Sequence, residues 1–299
     1  MTVQGHDNAK NVLRQLSAQT LLFCGPTGVG RRQVAKWYAA WLNCEQPANE
    51  PCWTCRSCQL FLEDAHPDYR EIAPQLTTST GRVSRRPEIK ISQLVMREGE
   101  SEDQPLGRWL EPRPSFKKRV GVIDSADTLN ISAANAFLKT LEEPPSFAVI
   151  ILIAPSPQAV LPTIASRSAV IRFGTVTLEN TQHPTASLGR LGDVLTAQQQ
   201  PEHFAELMQV IDTYLQSLDK GLENAFEAAD ALEKAWTNES TFDVAELLTA
   251  RLRERSPHVY ASSSEAVTKF EEALSAYAAP ALAMQVMTLE IRQGLRARG

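Results

Sequence analysis

Apolar residues along this chain follow two rhythms, and the change from one to the other falls near residue 174. Before it, short unbroken apolar runs alternate with stretches of helical spacing. The runs 21–24 (LLFC), 119–123 (RVGVI), 149–153 (VIILI) and 170–173 (VIRF) are too short for helices and read as buried strands. Segment 33–42 reads as a helix leaving the first strand. A second helix follows Asn130, which can cap it. Ala134, Phe137, Leu138 and Leu141 mark its apolar face, and Pro144-Pro145 stops it. Strands alternating with helices predict an α/β fold, a parallel sheet flanked by helices.

The stretch 77–111 is polar and charged, with Arg82, Arg85, Arg86 and Lys90 in its first half and an expected exposed loop at 99–105. After Gly174 the spacing weakens, and 174–200 reads as a small lid or linker. Helical spacing resumes at Phe204, where Leu207, Met208, Ile211, Leu215 and Leu218 continue one stripe. Ala- and Leu-rich helices run on to the end, with a loop expected at 256–264. The expected organisation is therefore an α/β module over 1–173, a reduced lid over 174–200 and an all-helical domain over 201–299.

Composition narrows the class. The 299 residues are 43% hydrophobic and carry a net charge of -5, which suits a protein with a real core rather than a basic, DNA-coating surface. Lys117, Lys118 and Arg119, with Arg82, Arg85 and Arg86, form short basic runs for which a solvated surface is favoured over DNA contact. The longest apolar run, 147–154, is too short to span a bilayer, and the first ten residues have no signal-like apolar stretch. A soluble, cytoplasmic protein with no membrane partner is expected.

Two motifs carry chemistry. GPTGVGRR fits the phosphate-binding pattern G-x-x-x-x-G-K-[ST] through Gly25 and Gly30, with Gly28 between them, and then departs from it. Arg31 stands in place of the lysine and Arg32 in place of the hydroxyl residue. The lysine normally reaches the terminal phosphates and the hydroxyl holds Mg²⁺. Arg32 offers the metal no oxygen, and after the strand ending in Asp124 the next residue is Ser125, where a water-polarising glutamate is expected. Gly25, Gly28, Gly30, Arg31, Arg32 and Asp124 thus outline a degenerate nucleotide site, with ATP binding weak or absent and no hydrolysis.

The second motif is Cys44, Cys52, Cys55 and Cys58, spaced C-x7-C-x2-C-x2-C; Cys24 sits apart in a strand. Four clustered thiols in a cytosolic chain point to metal rather than disulfides. Zinc and an iron–sulfur cluster both take such a set, and the lack of a following Cys-Pro favours structural zinc. His66 is a spare candidate ligand, although His66-Pro67 reads better as a turn.

GPTGVGRR, the four-cysteine insert, HPDY (66–69), DSADTLN (124–130), NAFLKTLEEPP (135–145) and LPTIASRS (161–168) together resemble the bacterial DNA polymerase III clamp-loader subunits. The run from the glycine loop to Phe173 is similar to the AAA+ module of the delta-prime and gamma/tau branches, and the degenerate loop matches the delta-prime branch. The resemblance implies an AAA+ module with a zinc insert, a small lid and a helical collar. It also implies a stator that hydrolyses no ATP, completes a neighbour's site, and works with gamma/tau motor subunits and a delta subunit to load a sliding clamp on primed DNA. The family's S-R-C motif carries a trans-acting arginine finger, which maps onto Arg167; here the motif reads Ser166-Arg167-Ser168. Position alone would make Arg167 an ordinary cation near a helix C-terminus. The alternatives are an ATP-hydrolysing gamma/tau-like motor and a free-standing zinc module that binds nucleic acid.

Overall fold

A computed structural model describes residues 3, 5–77, 83–95, 104–176, 194, 197–198, 200–239, 242–255, 257, 260–276 and 278–296. The chain forms two compact units, Met1–Val176 and Thr177–Gly299. The expected lid at 174–200 and the exposed loop at 99–105 lie mostly outside the described residues, and Arg82 lies wholly outside them.

The first unit is built on a five-stranded sheet. Its strands are β1 (Thr20–Cys24), β2 (Tyr69–Ile72), β5 (Arg119–Ile123), β6 (Ala148–Ala154) and β7 (Ala169–Arg172), in the order β2-β5-β6-β1-β7. Every pairing is parallel, with Leu22 beside Leu152 and Ile123 also in register with Leu152. All residues of β1, β5 and β6 are buried, as expected of central parallel strands covered on both faces. Alternate residues feed two cores. Leu21, Phe23, Val122 and Ile151 pack with helices α1 (Asp7–Gln15) and α2 (Arg31–Asn43). Leu22, Ile123, Ile150 and Leu152 pack on the other face with α6 (Ile131–Glu142) and α7 (Pro162–Ala165). Asn130 caps α6 as expected, its Oδ1 accepting from Ala133 N at 2.8 Å.

The polar, charged stretch 77–111 contains regular structure. It holds a hairpin of β3 (Gln75–Thr77) with β4 (Val83–Glu88), and the short helices α4 (Ile91–Leu94) and α5 (Leu106–Leu110). Ile89, Leu94, Leu106 and Leu110 are fully buried against the second core. Apolar anchors spaced this widely in a polar segment leave no period to detect. The loop expected at 256–264 is helical from Tyr260 onward. The helix containing Ser262 to Ser264 already runs from Tyr260, because Ser263 is buried and Ser262 faces Gly294, where a Cβ would sit 3.0 Å from Ser262 Oγ. These serines are small spacers at a close helix contact rather than loop formers.

The second unit contains α8 (Pro201–Ser217), α9 (Leu222–Asn238), α10 (Val244–Arg255), α11 (Tyr260–Ser275) and α12 (Pro280–Arg296). The expected stripe on α8 is inside: Leu207, Met208, Ile211 and Leu215 belong to one core with Leu248, Phe270, Met287 and Ile291. Arg292 is buried in this unit at 4% exposure and donates to the carbonyls of Ser217 (3.4 Å), Leu218 (2.6 Å) and Lys220 (2.8 Å). A permanent cation there satisfies the last carbonyls of α8 and faces the negative end of its dipole. Arg292→Met keeps the stem and removes the donors. It is expected to cost about 2 kcal/mol, read as a lower unfolding midpoint in urea with an unchanged m-value.

Candidate functional site

The glycine loop leaves β1 at the C-terminal edge of the sheet and enters α2. Gly25 N donates to Pro155 O at 3.1 Å, and a Cβ on Gly25 would lie 2.3 Å from Phe173 O, so only glycine fits that approach. Gly28 and Gly30 have φ of +73° and +98°, in the left-handed region that favours glycine. The cradle geometry therefore survives. His6 braces it from behind: Nε2 donates to Val29 O at 2.6 Å, and the ring meets Phe173 edge-on. Burial lowers the His6 pKa, so the bracing imidazole is neutral near pH 7.

The two arginines that replace the lysine and hydroxyl residue turn inward or sideways. Arg31 is buried and donates from Nη1 to Ala154 O, the last residue of β6. Its pKa is lowered by burial, with Asp124 as the largest opposing influence. Arg32 pairs with Glu71, near the C-terminal end of β2. Burial raises the Glu71 pKa and Arg32 pulls it back, while Tyr69 donates to its Oε2 at 3.2 Å. Asp124 Oδ1 accepts from Ser125 N at 2.9 Å, and Ser125 itself has φ of +56°. Gly25, Gly28, Gly30, Arg31, Arg32 and Asp124 thus come together, and the cations among them already have partners inside the chain. Glu71 was missed by the sequence reading because it lies in YREI, a half-buried edge strand without apolar alternation.

The four cysteines also converge. Their Sγ atoms all lie within 4.8 Å of one another, with Cys52 and Cys58 3.9 Å apart, and none forms a disulfide. Such a cluster can hold a metal ion. Cys44 follows the end of α2, and Cys55 and Cys58 open the helix α3 (Arg56–Leu62). Cys52 N donates to Cys44 Sγ and Cys55 N to Cys52 Sγ, both at 3.3 Å, which favours anionic sulfur. Hydrogen bonds from Thr54, then from Cys55, pull the Cys52 thiol down to about 6; burial pushes Cys44 and Cys58 up. Trp53, between the ligands, takes a left-handed φ of +56°, a strained geometry for a bulky side chain that the tight turn imposes.

His66 is not a fifth ligand. It is buried and stacks on Phe61 at 4.1 Å; Asp68 N donates to Nδ1, so Nε2 carries the proton and donates to Ser57 Oγ at 3.1 Å. Burial lowers its pKa to about 4 and holds it neutral. The basic run beside it has structural work as well. Lys117 Nζ donates to Cys44 O, Lys118 Nζ to Ser146 O at 3.0 Å, and Arg119 pairs with fully buried Asp68 at 3.2 Å. Internal carbonyls and a carboxylate, rather than solvent alone, hold these three cations. The side chains of Arg85 and Arg86 lie outside the described residues.

Arg167 follows α7, far in sequence from the glycine loop, and is exposed at the surface. Its Nε donates to Glu142 and its Nη1 to Thr163 O at 3.0 Å. Glu142 lies within the LKTLEEPP segment but had no role assigned from sequence.

A family model described as "DNA polymerase III, delta subunit" matches residues 8–177, more than half of the chain. The chain is 34% identical over 155 residues to the DNA polymerase III subunit delta' of Pseudomonas aeruginosa, covering 52% of this chain and 42% of that one. It is 30% identical over 190 residues to the subunit tau of Bacillus subtilis, covering 63% and 29%. It therefore spans less than half the length of these curated relatives. A gamma subunit-related protein of DNA polymerase III from Thermotoga maritima, known from a crystal structure, superposes with a TM-score of 0.53 over 97% of this chain and 99% of that one. At 18% identity that likeness speaks to the fold, the AAA+ sheet with a following helical unit. No helix among the described residues is long and apolar enough to cross a membrane. The chain belongs to the DNA polymerase III delta-subunit family, on the delta-prime side of the clamp-loader subunits.

Proposed function

We propose that this chain is a non-hydrolysing stator of the replicative clamp loader. In this reading 1–173 is a nucleotide-domain-like module, 174–200 a reduced lid and 201–299 a collar that assembles with gamma/tau motor subunits and a delta subunit. Acting in the cytoplasm, the assembly places a sliding clamp on primed DNA. One observation carries the proposal: buried Arg31 donates to Ala154 O and Arg32 pairs with Glu71, so neither supplies Mg·ATP with the ammonium or the hydroxyl that the motif's lysine and Ser/Thr provide.

The chain's contribution is then Arg167, offered to a neighbouring subunit. In that neighbour's pocket, water attacks the γ-phosphorus, the β–γ bridging bond breaks, and ADP and phosphate leave. A planar guanidinium placed beside the γ-phosphate stabilises the charge that spreads over its oxygens. The four cysteines hold a structural zinc ion. Their four sulfurs, all within 4.8 Å of one another, are close enough to converge on a single ion, and four thiolates would give zinc a closed, structural site. A polynuclear iron–sulfur cluster interposes further atoms and spreads its ligands more widely.

The test is ATP turnover. The isolated chain with Mg²⁺ is expected to be inactive, whereas adding it to the motor subunit stimulates hydrolysis. Arg167→Ala is expected to co-elute with the motor as before and to lower the stimulated turnover about a hundredfold or more. Turnover by the isolated chain would favour the motor reading instead.

A further inference from the structure

We propose that Glu142 is a positioning residue for Arg167, holding the guanidinium ready before a neighbouring subunit arrives. The inference rests on the finger reading above. Glu142 is the last residue of α6, where a carboxylate faces the negative end of the helix dipole and is disfavoured. Helix stability therefore gives no reason for an acid there. What its Oε1 accepts is the Nε proton of Arg167.

The guanidinium is held at two of its three nitrogens. Nε is held by Glu142, and Nη1 donates to Thr163 O at 3.0 Å and lies 3.4 Å from Ser166 Oγ. The acceptors come from two elements, the end of α6 and the short helix α7, so the fork cannot swing without breaking both. Nη2 has no partner among the described residues, which leaves that corner for an anion. Arg167 and Glu142 keep 35% and 44% of their side-chain surface exposed. An arginine free in solvent samples many rotamers and must lose them when it meets a phosphate. Glu142 removes that loss in advance, so the donor is in place when charge develops. Because the pair is exposed, it contributes little to folding, and its catalytic effect can be separated from stability.

The experiment compares wild type, Glu142→Ala, Glu142→Gln, Arg167→Ala and the Glu142→Ala/Arg167→Ala pair, each assembled as full chain with the ATP-hydrolysing subunit. Glu142→Ala is expected to lower kcat for ATP roughly tenfold, within the ~10²-fold that an ångström of misplacement costs. KM for ATP and co-elution with the motor should not change, since the nucleotide sits in the neighbour. Glu142→Gln keeps an acceptor for Nε and should recover most of the rate, and the double variant should be no slower than Arg167→Ala alone. A full rate in Glu142→Ala together with a reduced rate in Arg167→Ala overturns the positioning role and leaves the finger standing. A rate increase in Glu142→Ala also overturns it, since the carboxylate would then restrain the arginine. No effect of Arg167→Ala defeats the finger reading itself.

Discussion

Replacing Cys58 with serine is expected to reduce bound zinc from one ion per chain to well below stoichiometric, and to destabilise the first unit by about 4 kcal/mol, roughly 10 °C in unfolding temperature. The size follows from what the cluster joins. Cys44 ends α2, while Cys55 and Cys58 begin α3, so a single ion held by them would clip together two helices that the chain connects by an irregular, polar segment. Cys58 is buried, and without an ion its neighbour Cys44 is a second buried thiol that burial keeps protonated. A metal ion replaces those protons and organises all four sulfurs at once. The insert is held by other contacts too: Glu50 pairs with Lys10 at 3.1 Å and accepts from Trp37, and Trp41 donates to Ala48 O at 2.8 Å. These keep the expected loss well below that of a free zinc-finger peptide. Elemental analysis and thermal unfolding with and without chelator measure it. A wild-type chain that purifies without metal and unfolds at the same temperature after chelation would show that the thiols need no ion.

Much of the α/β frame was legible because burial on both faces writes itself as unbroken apolar runs. RVGVI and VIILI could hardly be anything else, and the glycine loop announced itself by spacing. The edge strand Tyr69–Ile72 was not legible, since three of its four residues are half-exposed and one is an arginine. Helix α1 was missed for a similar reason: DNAKNVLRQ buries only Ala9, Lys10 and Leu13, and one of those is a lysine. Lys10 goes inside because Val3 O and Glu50 satisfy its ammonium. The cysteine cluster needed no long-range information beyond the insert itself, so its spacing sufficed. Glu71 and Glu142 are different. Each owes its place to an arginine 39 or 25 positions away, Arg32 and Arg167, and no local pattern encodes such a pairing. The same holds for the arginines of the glycine loop, whose departure from the motif was visible while their partners were not.

Asp68 is where that long-range logic concentrates, and Asp68→Ala is expected to cost about 3–5 kcal/mol. The side chain is fully buried and accepts from Ser115 N at 2.9 Å, Phe116 N at 2.7 Å and Arg119 Nη2 at 3.2 Å. Its own carbonyl receives Val120 N at 2.8 Å, which extends the pairing of β2 with β5. Removing the carboxylate strands two backbone donors and leaves the Arg119 guanidinium, stacked 4.9 Å over Trp109, without its counter-charge. The penalty is that of an uncompensated buried cation rather than of one lost hydrogen bond. The damage should also spread: Lys117, two residues before Arg119, ties the β5 entry to Cys44, and Asn43 Oδ1 accepts from Lys117 N and Lys118 N at 3.0 and 2.9 Å. A loosened Asp68 turn would therefore loosen the cysteine cluster, and any zinc held there should be released faster on mild heating in the variant. The decisive measurement is a double-mutant cycle with Arg119→Met by urea unfolding of the full chain. Removing the cation as well should recover part of the loss, because no bare charge is then left inside. Strict additivity of the two single effects would mean that Asp68 acts only through its bonds to the backbone.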